Sequence, residues 1–192
     1  MLRVFVLVFV LGFLLWPVHA SAQMTVAGPP TPTAHALTAW AAKHIPAKFQ
    51  AVCLLEVSPL SDFGMDDYLH DGDHSQNNSH GGDDDEIDGV FVNHPPRILL
   101  RIPNSGRLDF ATFAHEYGHY VWFDLLTNDD RKRYKALYDR QKAARKLVTS
   151  YAAESVEEGF AEAFAAETTS PAALLRADPL SAKFLADWPP KR

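Results

Sequence analysis

His115-Glu116-Tyr117-Gly118-His119 sets two imidazoles four residues apart, with a carboxylate directly after the first. On a helix, residues i and i+4 lie on one face about one turn apart, so both rings can reach one tetrahedral zinc ion. The glutamate at i+1 points beside that face. It is out of line for a third ligand but well placed to contact water at the metal. Zinc in such a site lowers the pKa of water towards neutrality, and Glu116 can take its proton and later pass it to a leaving amine. The neighbouring residues suit this role, since Phe110, Phe113, Ala114, Tyr117 and Val121 give the same helix an apolar side.

A catalytic zinc needs a third protein ligand and an open position. The candidates lie in the segment from Ser150 to Phe164, where Glu154, Glu158 and Glu162 recur at helical spacing and Glu157 lies about 100° away. Glu158 is the expected third ligand, with Glu157 in reserve. Glu162 is expected to orient a ligand histidine through its free ring N–H. A simpler role competes for Glu158, because Ser155-x-x-Glu158 is also a capping box, in which the carboxylate would serve its own helix start. Gly159 and Ala161 are small enough to let this helix approach another closely.

The combined pattern runs His-Glu-x-Gly-His, then Tyr151, then Glu158 followed by Phe160-Ala161-Glu162-x-Phe164. It resembles the catalytic domain of anthrax lethal factor and the secreted Pro-Pro endopeptidases. The resemblance covers roughly residues 49–167 and implies a small gluzincin-like zinc metallopeptidase domain. It further implies Glu158 as zinc ligand and Tyr151 as the phenol that steadies the transition state. An upstream hairpin would receive the substrate along its edge. The chain departs from the pattern at Gly159, where those relatives tend to carry a bulky aromatic, and in a long acidic insertion.

The elements that must hold these residues follow from patterning. Ala36, Leu37, Trp40 and Ala41 mark a helix over 33–44, ended by Pro46. Residues 49–57 read as a strand. Gly89–Asn93 and Arg97–Ile102 read as a hairpin turning at His94-Pro95-Pro96. Helices are then predicted from Asp109 to about Leu126, from Asn128 to about Val148 and from about Ala153 to Glu167. Ser170-Pro171 and Asp178-Pro179 start two short ones. The inner side of the second is expected to carry Tyr134, Leu137, Tyr138, Gln141 and Val148. Strands first and helices after predict an α+β domain, with a short sheet and its edge hairpin packed on C-terminal helices.

Residues 1–22 read as a cleaved signal peptide: a basic start, an apolar run from Val4 to Trp16, and Ala20-Ser21-Ala22. That run is shorter than the roughly 20 residues that span a bilayer, so no stable membrane insertion is expected after cleavage. An exported protein, periplasmic or secreted, is expected. Residues 23–48 form a Pro- and Gly-rich lead-in and a helix, and residues 49–192 the metallopeptidase domain. Cys53 is the sole cysteine and lies in an apolar run, which predicts a buried inert thiol and excludes an internal disulfide. The net charge is −6, yet ten acids and no Lys or Arg fall between Asp62 and Asp88. This acidic insertion, residues 66–88, carries His70, His74 and His80 and suits a solvated loop or a substrate-covering flap. The rest of the chain lacks an aromatic-studded basic stripe, which argues against nucleic acid as a partner. The expected function is hydrolysis of peptide bonds in an extended peptide or protein substrate, with one zinc ion per chain. The rival is a non-catalytic metal-binding or metal-buffering exported protein, in which Glu116 would have no task.

Overall fold

A computed structural model describes residues 25–26, 32–50, 54–59, 89–93, 96–102 and 109–188. The expected signal peptide (residues 1–22), Cys53 and the acidic segment 66–88 lie outside the described residues. The fold is a small α+β domain. Among the described residues its sheet has four strands, β1 (Thr25–Val26), β2 (Leu54–Pro59), β3 (Gly89–Val92) and β4 (Arg97–Ile102), in the order β1-β2-β4-β3. The first three neighbours in that order run parallel, and β3 joins β4 as an antiparallel hairpin with Val90 opposite Leu99 and Phe91 opposite Ile98. Ile98, Leu99 and Leu100 are all buried. A strand covered on both faces reads as a continuous apolar run rather than an alternation, which is what this segment shows.

Among the described residues there are six α-helices: α1 (Pro32–His44), α2 (Phe110–Tyr120), α3 (Asn128–Ala143), α4 (Val156–Thr169), α5 (Pro171–Ala177) and α6 (Pro179–Asp187), of which α1 and α2 pack on the strands. Their starts follow local chemistry. Asp109 accepts from the Ala111 N–H at 2.8 Å and the Thr112 hydroxyl at 3.0 Å. Thr127 and Asp130 exchange bonds in a full capping box. Ser155 caps α4, and Asp178 caps α6 with Pro179 in its first turn. Among the described residues no helix is long and apolar enough to cross a membrane.

Several boundaries differ from the sequence reading. Phe49 sits in a 3-10 turn, Ala47–Phe49, rather than in a strand, and among the described residues β2 covers Leu54–Pro59. Two residues of the lead-in, Thr25 and Val26, pair as β1. Helix α2 ends at Tyr120 and continues as a π turn, Val121–Leu125. Helix α3 stops at Ala143, five residues short of the expected Val148, because Arg145 adopts a left-handed backbone (φ 55°) and Lys146 N–H closes onto the Gln141 carbonyl at 2.9 Å. Tyr134, Tyr138 and Gln141 are buried on its inner side, as expected.

The core is largely aromatic. Phe49 stacks on Trp188 at 5.0 Å and meets Phe164 edge-on, while Trp122, Tyr134 and Phe184 pack around Phe160. Leu37, Ala41 and Ile45 of α1 and its C-terminal end join the same core as α2 and α4. The most extensive helix contact is between α2 and α4, and that crossing holds the candidate site.

Candidate active site

Helix α2 carries His115, Glu116 and His119; helix α4 carries Glu158 and Glu162. The crossing is close because Gly118 faces Ala161. A Cβ on Gly118 would lie 2.8 Å from the Ala161 Cα and 3.2 Å from the Ala161 carbonyl oxygen. Backbones this close bring side chains one turn away on each helix into contact.

The result is a buried triangle of ligand atoms. Nε2 of His115 lies 3.1 Å from Nε2 of His119 and 3.1 Å from Oε2 of Glu158; the third side, His119 to Glu158, is 3.5 Å. His115 and His119 are each 2% exposed and Glu158 is 4% exposed. These three side chains could hold a metal ion. On the far side of the ring, Nδ1 of His115 lies 2.8 Å from Oε1 of Glu162. A carboxylate there requires Nδ1 to carry the proton, which turns the Nε2 lone pair towards the triangle.

The electrostatics match a cation site. Burial alone would lower the His115 pKa, but hydrogen bonds to Glu158 and Glu162 outweigh it and raise the pKa to about 10. Burial alone would raise Glu158, but His115 and His119 hold its carboxyl down at about 2. The cluster therefore keeps positive charge at its centre, either a proton on His115 or a metal in place of that proton.

Of the two roles the sequence offered, the Glu158 carboxylate takes the one at the histidines. Ser155 caps α4 by accepting from the Glu158 backbone N–H at 3.1 Å, while the Glu158 carboxylate faces His115 and His119. Helix α4 starts at Val156, so Glu154, which is exposed, lies outside the helix and does not share a face with Glu158 and Glu162. This corrects the expected three-carboxylate face. Glu157 is not among the residues brought together.

Tyr151 lies in a 3-10 turn, Tyr151–Ala153, just before α4. The turn is tied by the Ala152 N–H to the Thr149 hydroxyl at 3.0 Å. The Tyr151 ring centre is 5.9 Å from that of His115. Burial, then the charges of Glu158 and Glu116, push the phenol above its ordinary range, so it keeps its proton and donates to Glu158. Glu116 is 1% exposed and reaches the start of the outer hairpin strand. A Cβ on Gly89 would meet its Cγ at 2.9 Å. Strand β3 therefore begins against the Glu116 side chain.

The sequence marked Ala161 for a close helix approach and Tyr134 and Tyr138 as inward-facing, but not the partners of three supports. Gly118 makes the helix crossing, and its place between the two histidines was the available signal. Tyr134 sends its hydroxyl to the Gly159 carbonyl at 2.9 Å, next to Glu158, and touches Ser181 at 3.1 Å, which in turn donates to Asp178. Tyr138 lies against Gly159, where a Cβ would come within 2.5 Å of its ring.

No protein-family model matches the chain, and no curated protein matches it by sequence. Among solved structures it is similar to the Pro-Pro endopeptidase from Paenibacillus alvei, at 16% identity and a TM-score of 0.51. That likeness covers 85% of this chain and 96% of the other and shows a shared fold.

Proposed function

We propose that this chain is an exported zinc-dependent endopeptidase acting on an extended polypeptide. The observation that carries the reading is the buried triangle of His115, His119 and Glu158. Zinc bonds to nitrogen and oxygen are about 2.0–2.1 Å long, which at tetrahedral angles spaces ligand atoms roughly 3.3–3.4 Å apart. The triangle's sides of 3.1, 3.1 and 3.5 Å bracket that spacing. Two imidazoles and one carboxylate are a zinc donor set that leaves a fourth position open. The endopeptidase fold of the structural neighbour supports the reading.

Bound zinc would supply Lewis acidity, polarising the scissile carbonyl and acidifying the attacking water. The chain's own residues do the rest. Glu116, buried beside the triangle, takes the proton of the water and returns it to the leaving amine. Tyr151 donates a hydrogen bond from its phenol to the oxyanion that develops on the carbonyl. Glu162 holds the tautomer and orientation of His115. Among the described residues β3 is the last strand of the sheet, and an extended peptide would add along its outer side as a further strand. A metal-buffering role would leave the buried Glu116 and the adjacent Tyr151 without purpose.

The test is metal stoichiometry with hydrolysis on one preparation. The expected result is one tightly held zinc per chain, with peptide cleavage lost on chelation and restored by zinc. Several weakly bound ions without cleavage would favour the buffer.

A further inference from the structure

The π turn that follows His119 has a use that zinc binding and proton transfer do not need. Leu126 N–H bonds the Val121 carbonyl at 2.9 Å, an i to i+5 closure, and such turns gather at functional sites. Two of its carbonyls, Trp122 and Phe123, accept from the Arg131 guanidinium at 2.9 and 3.1 Å, and the same guanidinium is anchored to Asn128 at 2.7 Å. The turn is locked from outside the helix. What it holds in place is Phe123, whose ring centre lies 6.4 Å from that of His119 at 26° and 6.1 Å from that of Phe91 at 9°. Phe123 has two ring neighbours, His119 and Phe91, and is still only partly buried, which leaves part of the ring accessible.

Phe91 belongs to β3, at the end of the sheet order, and alternation puts Phe91 and Gly89 on one face of that strand. That face meets the site helix twice, with Gly89 against Glu116 and Phe91 against Phe123. Two strand residues span about 7 Å, so the aromatic pair lies that far along the strand from the proton-transferring carboxylate. A peptide added beside β3 runs about 4.8 Å away, and its side chains on the same face pass Phe91 and Phe123.

We propose that Phe123, backed by Phe91, is a specificity-determining residue: it walls a subsite that takes an aromatic or large aliphatic side chain within two residues of the bond that is cut. This rests on the endopeptidase reading above. A flat apolar wall favours rings by offset stacking and rejects polar side chains that would lose water there.

Binding of dipeptide hydroxamates to the zinc-loaded protein tests this without requiring turnover. Phe, Leu or Ser is placed at each of the two residues in turn, and affinities are measured by calorimetry for wild type, Phe123→Ala and Phe123→Leu. Wild type is expected to prefer Phe to Ser at one position by about 10-fold or more. Phe123→Ala should reduce that preference to within about threefold while zinc affinity stays within about threefold. Phe123→Leu keeps apolar bulk, so it should retain Leu over Ser but lose Phe over Leu. The proposal is overturned by no preference in wild type, by a preference that survives both variants, or by equal weakening of every probe. If the preferences appear as expected but no peptide is cleaved, the subsite stands and the endopeptidase reading fails.

Discussion

Gly118→Ala isolates the helix crossing from the ligands themselves. The added Cβ would sit 2.8 Å from the Ala161 Cα, whereas carbon atoms pack at about 3.5–4.0 Å, so α2 and α4 must part by roughly 0.7 Å or more. Overpacking of this kind costs about 1–3 kcal/mol, and the better helix propensity of alanine returns about 1 kcal/mol. At about 2–4 °C per kcal/mol for a chain of this size, the melting temperature of the metal-free protein should fall by no more than about 8 °C. The larger effect is on the metal. Zinc–ligand distances tolerate only about 0.2 Å, and Glu158 rides on the helix that moves away from His115 and His119. Zinc affinity, measured by competition with a coloured chelator, should weaken about 10- to 100-fold. Because the obstacle is the Ala161 backbone, adding Ala161→Gly should not restore it. Zinc affinity within threefold of wild type in Gly118→Ala would refute the claim that this close approach sets the triangle.

The remaining predictions concern the ligands and their neighbours. Glu158→Ala should lose zinc while Glu157→Ala keeps it, and the same competition assay reads both; loss in the second alone would mean the ligand is assigned one residue off. Tyr151→Phe should keep zinc and lower kcat by roughly 10- to 1,000-fold with little change in KM, as one lost oxyanion donor does; an effect confined to KM would make Tyr151 a ground-state contact. Zinc must displace the proton that the His115 pKa of about 10 keeps on the metal-free ring. Binding therefore strengthens with pH below that value, by about tenfold per unit for one displaced proton. Titrations at pH 6, 7 and 8 check this, and a flat profile contradicts it.

The parts of the fold legible in the sequence are those fixed locally. The helix under His115 and His119, its Asp109 cap and the two proline-started helices at the end depend on residues a few positions apart, and all are present. The hairpin came from two apolar runs around a proline turn. The errors share another cause. The end of α3 depends on a left-handed backbone at Arg145, a conformation usually marked by glycine or asparagine. The start of α4 at Val156 leaves Glu154 outside, because the chain first closes the 3-10 turn at Tyr151. Gly118 against Ala161, Gly89 against Glu116 and Tyr138 beside Gly159 join segments 20 or more residues apart. Periodicity within one segment carries no trace of its partner in another. The candidate ligands could be named because the spacing of the histidines is local, while the choice of Glu158 over Glu157 rests on how α4 is rotated against α2.

The most direct test of the central claim is Glu116→Gln, with zinc content and peptide hydrolysis measured on the same preparation. The substitution keeps the shape of the buried side chain and leaves all three ligands in place. It removes only the group that accepts the proton. The account predicts one zinc per chain, as in wild type, and hydrolysis reduced about 10²- to 10⁴-fold. Near-normal hydrolysis with zinc bound would contradict it.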